Sequence, residues 1–220
     1  MIYLDHLAST PLDPEVRESM LPWLEPARAG NPHSEHPAGW RAAKAIDEAR
    51  AEVAELIGAR PSEIVFTSGA TEANNIALFG MAGECGRLIV SAIEHPSVLE
   101  PAATLKSSGL AVETLGTDAE GRVDLEALDR LLAQGPALVS IMAANNEIGT
   151  LQLLAEIGAL CRKHGALFHS DAAQALCRVL TTYRPGSTRE LSQARNSLAK
   201  TRWASATCGS SSASIVWAFQ

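Results

Sequence analysis

Phe66-Thr67-Ser68-Gly69-Ala70-Thr71-Glu72-Ala73-Asn74-Asn75 is the stretch on which the interpretation of this sequence depends. The β-branched run Glu63-Ile64-Val65 before it predicts a short strand, and Ile76-Ala77-Leu78-Phe79-Gly80-Met81 after it predicts a helix. A Ser-Gly-Ala-Thr turn that opens a helix offers unpaired backbone N–H groups and a favourable helix dipole, which together suit a phosphate. The same turn is equally consistent with a helix cap that binds nothing, so the remaining sequence has to decide.

The composition is that of an ordinary globular protein. The 220 residues are 46% hydrophobic and 20% charged, and the formal net charge of −7 argues against nucleic acid or an anionic membrane as a partner. No run of about 18 apolar residues predicts a membrane span, and the first residues lack the pattern of an export signal, so we expect a cytoplasmic protein. The four cysteines show no metal-ligand spacing and are expected to be reduced thiols, so no metal site is predicted.

Helix and strand patterns alternate along the chain. Further strands are predicted at 87–91, 111–115, 137–142 and 166–171, and helices at 14–25, 38–58, 98–108, 125–134 and 153–164. The pair Asp13-Pro14 is a typical helix start, with an N-cap followed by proline at the first helical position. Alternation of this kind predicts an α/β fold, a mostly parallel sheet flanked by helices.

Polar residues recur where the predicted strands end. His95, Asn146 and Asp171 each follow or close one of these strands, and in open α/β sheets ligands bind at the carboxyl ends of the strands. A phosphate cradle, an imidazole, an amide and a carboxylate suit an aromatic, phosphorylated cofactor with a ring nitrogen, because a carboxylate keeps such a nitrogen protonated. The histidines of the loop Asn31-Pro32-His33-Ser34-Glu35-His36 are interpreted as solvated or structural, in preference to a metal or nucleophile site.

Six motifs, in order along the chain, resemble those of the cysteine desulfurases, which are pyridoxal-phosphate enzymes of fold type I in the class V aminotransferase group. They are Tyr3-Leu4-Asp5-His6, Asn31-Pro32-His33-Ser34, the stretch 66–75, Glu94-His95-Pro96-Ser97, Asn145-Asn146-Glu147-Ile148-Gly149-Thr150 and His169-Ser170-Asp171-Ala172-Ala173-Gln174. The resemblance covers about residues 1–176. It implies a truncated form of the cofactor-binding large domain of those enzymes.

The resemblance also implies a pyridoxal 5'-phosphate site. The residues that match the family's cofactor-binding positions are Ala70, Thr71, His95, Asn146, Asp171 and Gln174. The first two would hold the phosphate, and His95 would stack on the ring and assist proton transfer as the matched catalytic residue. The amides of Asn146 and Gln174 would bond the phenolic oxygen of the ring, and Asp171 would pair with the pyridinium nitrogen.

Substrate and partners follow from the resemblance in the same way. Enzymes of this family take sulfur from L-cysteine, leaving alanine and a persulfide on an enzyme cysteine, and they supply iron–sulfur cluster assembly and other sulfur-carrier pathways. We therefore expect L-cysteine or a similar amino acid as substrate and a sulfur-acceptor or scaffold protein as partner. Family members are homodimers, and the absence of the family's C-terminal part would weaken that assembly here. Neither a nucleic acid nor a membrane is expected as a partner.

The resemblance ends after Gln174. The Ser-x-His-Lys motif, whose lysine forms the Schiff base with the cofactor, has no match, and Lys200 lacks the histidine and the glycine-rich continuation of that motif. None of the four cysteines matches the sulfur-accepting position. We expect a lead-in segment at 1–12, an incomplete large domain at 13–176 and an off-pattern tail at 177–220. The tail is expected to be frameshifted or disordered, and a natural short variant is the competing account.

Whether the chain is an active enzyme stays open on these grounds. We expect a truncated relative of the cysteine desulfurases that is catalytically impaired, because the lysine and the acceptor cysteine have no match. One alternative is another lyase or aminotransferase of class V, whose substrate the missing C-terminal part would define. The other is a non-catalytic remnant that binds at most the cofactor or a partner.

Overall fold

The helices account for most of the regular structure. A computed structural model describes residues 2–3, 6 and 9–175 and the backbone of residues 215–218, with only the backbone of Ala27. Its α-helices are α1 Pro14–Leu24, α2 Pro37–Ile57, α3 Ala70–Cys85, α4 Pro96–Ser107, α5 Leu125–Leu132 and α6 Leu154–His164. Short 3-10 turns lie at Pro26–Arg28 and Pro61–Glu63. The predicted start of α1 is confirmed, since Oδ1 of Asp13 accepts a hydrogen bond from the Glu15 N–H at 2.8 Å.

The strands form one parallel sheet. They are β1 Arg87–Ser91, β2 Ala111–Leu115, β3 Leu138–Ser140, β4 Leu167–Asp171 and β5 Ile215–Ala218. Their order across the sheet is β2-β1-β3-β4-β5, and every neighbouring pair is parallel. The chain passes from β1 to β2 on one side and then crosses to β3 on the other side of β1. Such a change of direction is a topological switch point, where the loops diverge and leave a crevice at the carboxyl ends of the strands.

Both faces of the sheet are covered by helices. Leu88 of β1 packs with Leu78 of α3 and Val98 of α4 in one core. The next residue, Ile89, points to the other face and packs in a second core with Leu128 of α5. Strands that are buried on both faces require mainly apolar sequences, as β1 and β3 have. The predicted α/β fold with a mostly parallel sheet flanked by helices is therefore confirmed.

The predicted elements agree with the structure within a few residues, with one exception. Glu63-Ile64-Val65 was predicted as a strand, and this is wrong. Glu63 closes the turn Pro61–Glu63, and although Ile64 is extended, with φ −96° and ψ 126°, its carbonyl accepts a hydrogen bond from the Arg50 guanidinium of α2. An extended segment becomes a strand only by pairing with a neighbour, and no described strand pairs with this one. The predicted turn into a helix is present, since α3 begins at Ala70.

The predicted division of the chain stays a prediction. Strand β5 belongs to the segment expected to be off-pattern, and its Ala218 is in register with Asp171 of β4. Residues 176–214 and 219–220, among them Lys200 and Cys177, lie outside the described residues, so the frameshift and the disorder of the tail stay predictions. None of the helices in the described ranges has the length and apolar character needed to cross a membrane.

Candidate functional site

A cavity of about 400 Å³ lies at the switch point, beside the loops that follow β1, β3 and β4. Its volume is in the range of small-molecule and cofactor pockets. All six residues predicted to bind a cofactor line it, namely Ala70, Thr71, His95, Asn146, Asp171 and Gln174. The fold thus brings together residues that are far apart in sequence. What each of them does towards a cofactor stays a prediction.

The N-terminus of α3 forms one wall of this cavity. Glu72 turns back towards the preceding turn, where its Oε2 accepts hydrogen bonds from the N–H and the hydroxyl of Ser68 at 2.6 and 2.8 Å. These bonds hold the pKa of Glu72 below its usual value. Gly69 occupies the N-cap position without a side-chain cap, and Ala70 is buried. The first-turn N–H groups of such a helix have no partner within the helix, so an anion in the cavity can accept them.

Asp171 closes β4 and is buried at a second wall of the cavity. Its Oδ1 accepts a hydrogen bond from the Ala173 N–H at 2.9 Å, and its Oδ2 accepts one from the side-chain amide of Asn74 at 2.8 Å. Among the described residues, no lysine or arginine forms an ion pair with it. Gln174 follows in the same turn and is half-buried. Asp171 is thus held by two donors, and no lysine or arginine of the described residues supplies a neutralising cation.

His169 does not supply that cation. It lies two residues before Asp171 and is fully buried, with its Nδ1 2.8 Å from the hydroxyl of Ser140. Burial lowers the pKa of His169 to about 4, although the charge of Asp171 acts in the opposite direction. At neutral pH the His169 ring is therefore uncharged. His169 therefore places no positive charge beside Asp171 at neutral pH.

His95 is connected to Asp171 through two buried side chains. Nδ1 of His95 accepts the Ser97 N–H at 3.1 Å and lies 2.8 Å from the Ser97 hydroxyl oxygen. That oxygen lies 2.9 Å from Nδ2 of Asn74, which also donates to Asp171. A continuous chain of hydrogen bonds therefore joins two predicted site residues, one at the start of α4 and one at the end of β4. The His95 side chain itself is exposed at the cavity.

Glu94 is a second buried carboxyl group at this edge of the sheet. Its Oε1 lies 2.5 Å from the Ser91 hydroxyl oxygen and 2.7 Å from the backbone nitrogen of Met142. Burial raises the pKa of Glu94 to about 8, although both hydrogen bonds act in the opposite direction. The side chain joins the end of β1 to the loop after β3, so it fixes the spacing of the two strands that border the switch point.

Asn146 is held in place by its buried neighbour Asn145. Nδ2 of Asn145 donates to the Ile93 carbonyl at 3.0 Å, and its Oδ1 accepts the N–H groups of Glu147 and Ile148 at 2.9 and 3.0 Å. These bonds tie the loop after β3 to the loop after β1. Asn146 is left half-buried at the cavity, where its own amide is available to a ligand.

Several polar residues at this edge of the sheet are not predicted from the sequence. They are Asn74, Ser97, Glu94 and His169, and all four lie inside the motifs of the resemblance. A signal was present for Asn74, because at helical spacing it falls on the buried face of α3 that also carries Ala77 and Leu78. No comparable signal exists for Ser97, since a serine in the first turn of a helix is an ordinary capping residue.

The loop histidines do not form part of the site. His36 caps α2, since its Nδ1 accepts the Gly39 N–H at 3.2 Å. The structural interpretation is confirmed for this residue. Within the described part of the chain, no group of three or more His, Cys, Asp or Glu side chains could hold a metal ion.

Comparison with protein families and curated sequences identifies relatives that match most of the chain. Residues 2–180 match the family model described as "Aminotransferase class-V". The chain is similar to the cysteine desulfurases IscS of Rickettsia bellii (strain OSU 85-389) and Rickettsia felis (strain ATCC VR-1525 / URRWXCal2), with 47% and 46% identity over 183 residues. These alignments cover 81% of this chain but 44% of each relative. The chain therefore spans less than half the length of these relatives.

Solved structures show the same likeness. The fold is similar to that of a NifS-like protein from Rickettsia africae ESF-5, with a TM-score of 0.75, 38% identity, and coverage of 84% of this chain and 51% of that chain. It is also similar to that of SspA in complex with cysteine, with a TM-score of 0.76, 41% identity, and coverage of 80% and 52%. The described sheet and helices thus correspond to about half of each of these chains.

Proposed function

Because the chain belongs to the aminotransferase class-V family, we propose that it is a cysteine desulfurase-like protein whose cavity binds pyridoxal 5'-phosphate. The observation that carries this proposal is Asp171, a buried carboxylate that lines the cavity and forms no ion pair with a described lysine or arginine. Leaving such a charge buried without a counter-charge is costly. A protonated ring nitrogen in the cavity would supply the counter-charge.

The N-terminus of α3 supports the same ligand, because it favours a negative charge whereas Asp171 favours a positive one. The backbone around Ala70 and Thr71 presents first-turn N–H groups and the positive end of the helix dipole to the cavity. A single ligand that satisfies both walls needs an anionic group and a basic ring nitrogen, and pyridoxal phosphate carries both. The residues present therefore fit this cofactor.

Each polar residue of the cavity has a task in this proposal. When bound, pyridoxal phosphate supplies a ring that accepts electrons from a substrate amino acid. Asp171 holds the proton on the ring nitrogen, which preserves that capacity. The side-chain amides of Asn146 and Gln174 bond the phenolic oxygen and fix the plane of the ring. The imidazole of His95 covers the face of the cofactor ring. Because Ser97 engages Nδ1 of the imidazole, its Nε2 is the nitrogen that faces the substrate.

The proposed substrate is L-cysteine. Relatives named cysteine desulfurase and the solved structure of SspA in complex with cysteine support this choice. The reaction would release alanine and pass the sulfur to a cysteine thiol as a persulfide, for iron–sulfur cluster assembly or other sulfur carriers. A sulfur-acceptor protein is the partner proposed by family, whereas the homodimer of the family would be weakened in this chain.

We further propose that the 220-residue chain binds the cofactor without a covalent bond and is impaired in turnover. The lysines of the described part are Lys44, Lys106 and Lys163. None of them lines the cavity, and Lys163 pairs with Asp129 on the surface. Neither described cysteine lines the cavity either, and burial raises the pKa of the Cys161 thiol to about 12, which makes it a poor sulfur acceptor.

Equilibrium dialysis of the purified chain against pyridoxal phosphate tests this proposal, with borohydride reduction and peptide mapping as the second step. We expect saturable binding that inorganic phosphate reduces, no lysine labelled by borohydride, and no alanine from L-cysteine. Failure to bind would contradict the cofactor site. A labelled lysine or steady alanine production would contradict the proposed impairment and leave the site intact.

A matched pair of substitutions tests the phosphate wall. Thr71→Glu places a carboxylate at the α3 N-terminus inside the cavity, and we expect pyridoxal phosphate to bind roughly tenfold more weakly because two anions then compete for one dipole. Thr104→Glu makes the same change on the exposed surface of α4, away from the cavity, and is the control. Equal affinity in the two variants would show that phosphate does not bind at α3.

A further inference from the structure

We propose that Asn74 and Ser97 are positioning residues that keep the ring proton of His95 on Nε2, so that a neutral His95 presents an N–H group to the ligand in the cavity. The inference deepens the proposed function, and it rests on that function for the identity of the ligand. The position of the proton itself follows from the hydrogen-bond directions within this chain.

The directions begin at Asp171, because a carboxylate only accepts hydrogen bonds. Asn74 must therefore turn its NH₂ group, and not its oxygen, towards Asp171, at the observed 2.8 Å. The Oδ1 atom of Asn74 is left buried with no hydrogen-bond partner among the described residues. An unsatisfied amide oxygen is unfavourable, and the opposite orientation would place that oxygen against the carboxylate. The orientation of Asn74 is thus determined by Asp171.

The same NH₂ group determines the direction of the next bond. Nδ2 of Asn74 has a second hydrogen and lies 2.9 Å from the Ser97 hydroxyl oxygen, which therefore accepts. The hydroxyl hydrogen of Ser97 remains free to donate to Nδ1 of His95, 2.8 Å away. The serine is largely buried where it lines the cavity, which limits competition from water for this hydrogen.

A second donor reaches the same nitrogen. The backbone N–H of Ser97 donates to Nδ1 of His95 at 3.1 Å, and a backbone N–H has no other role available to it. A nitrogen that accepts two hydrogen bonds cannot carry a proton, so in the neutral imidazole the proton lies on Nε2. The ring is also fixed in orientation, because both donors belong to one residue at the start of α4.

The consequence for the site is a defined hydrogen-bond pattern. Nδ1 faces Ser97, so Nε2 is the nitrogen left for the ligand, and it offers a donor. A cofactor or substrate atom opposite Nε2 has to be an acceptor. Asp171 thereby acts on the ligand in two ways. It contacts the ligand directly, and through the chain of hydrogen bonds it sets the position of the His95 proton.

Nitrogen-15 NMR of the full 220-residue chain, labelled at histidine and free of cofactor, tests the position of the proton. The chain has six histidines, and the His95 resonances are assigned as those that are missing from the spectrum of His95→Gln. We expect a protonated Nε2 and an unprotonated Nδ1 for His95 under mildly alkaline conditions. A protonated Nδ1 would overturn the proposal.

Variants test the role of the hydrogen-bond chain itself. Ser97→Ala removes one of the two donors, and we expect the Nδ1 resonance of His95 to shift towards that of a nitrogen without a hydrogen bond. Ser97→Thr retains a hydroxyl and should restore the wild-type position. Ser170→Ala is the matched control, because Ser170 is also buried and its hydroxyl has no partner within the described part of the chain. An unchanged Nδ1 resonance in Ser97→Ala would overturn the role of Ser97.

Asn74→Leu tests the residue of the hydrogen-bond chain that reaches His95 only through Ser97. It removes the amide that orients the Ser97 hydroxyl, and we expect the Nδ1 resonance of His95 to shift in the same direction, though by less than in Ser97→Ala. The absence of any shift would overturn the role of Asn74.

Titration of the wild-type chain with pyridoxal phosphate separates the two proposals. Failure to bind contradicts the proposed function, whereas the cofactor-free spectra still decide the position of the proton.

Discussion

Asp171 and Glu94 are both buried carboxyl groups near the carboxyl ends of β4 and β1, and each is 5% exposed. Asp171 has an N–H donor on each of its oxygens and lines the cavity. Glu94 receives both of its donors, the Ser91 hydroxyl and the Met142 N–H, on Oε1, and its Oε2 has no partner among the described residues. Glu94 is also not part of the cavity wall.

The difference shows that residue type and burial do not decide what an acid does at this edge. For Glu94, desolvation raises the pKa to about 8, so the side chain is largely neutral at pH 7 and acts as a bridge between two strands. Asp171 instead lines the cavity, where a ligand can reach it. The placement of the hydrogen-bond donors and the access to the cavity therefore distinguish Asp171, which can contact a ligand, from Glu94, which has a structural role.

Replacing Glu94 should give the largest effect of these substitutions, a change in how the free energy of unfolding depends on pH. A raised pKa means that the folded chain binds more protons than the unfolded chain, so this contribution to stability is complete below about pH 4.5 and is lost as the pH rises towards 8. Between pH 7 and 8 the wild-type free energy of unfolding should fall by on the order of 1 kcal/mol per pH unit. In Glu94→Gln this slope should disappear, as measured by chemical denaturation across the pH range.

His169 provides the internal check on that measurement. Its lowered pKa has the opposite effect, because stability from the neutral ring is present above about pH 6.5 and is lost as the pH falls towards 4. Between pH 4.5 and 6.5 the two contributions oppose each other, whereas between pH 7 and 8 only that of Glu94 changes. A slope between pH 7 and 8 that persists in Glu94→Gln would show that another group titrates there.

Replacing Asp171 should have the next largest effect, on ligand binding. Asp171→Asn removes the charge that would pair with the ring nitrogen, and a hydrogen bond to a charged group of this kind corresponds to roughly 10- to 100-fold in affinity. Equilibrium dialysis with pyridoxal phosphate measures the change. Glu94→Gln serves as the control, since it alters a buried acid outside the cavity and should leave the affinity unchanged. Similar losses in both variants would remove the distinction between the two acids.

Ser91→Ala should have the smallest effect and sharpens the account of Glu94. The Ser91 hydroxyl bond acts to lower the pKa of Glu94, so its removal should move the pH-dependent loss of stability to higher pH. The loss of one buried hydrogen bond should also cost about 1 kcal/mol of unfolding free energy. Denaturation curves from pH 6 to 9 measure both. A shift to lower pH would contradict the assignment of Glu94 as the titrating group.

Much of the fold was predictable because its signals are local. The apolar runs of β1 and β3 and the Asp-Pro start of α1 follow from neighbouring residues alone. The segment 63–65 shows the limit of that reasoning, since its β-branched residues favour an extended backbone but a strand needs a partner. Here the carbonyl of Ile64 bonds to Arg50 instead, and the sequence of the segment contains no sign of that contact.

The sequence by itself determined which polar residues stand at the ends of the strands, because parallel strands of one sheet expose their carboxyl ends at the same edge. His95, Asn146 and Asp171 are therefore found at one cavity, as predicted. Only the tertiary structure decided how these residues are connected. The Asn74–Asp171 bond joins residues 97 positions apart, and the Asn74–Ser97 bond joins residues 23 apart. Hydrogen-bond direction and burial depend on distances of a few ångströms between elements, which no local pattern specifies.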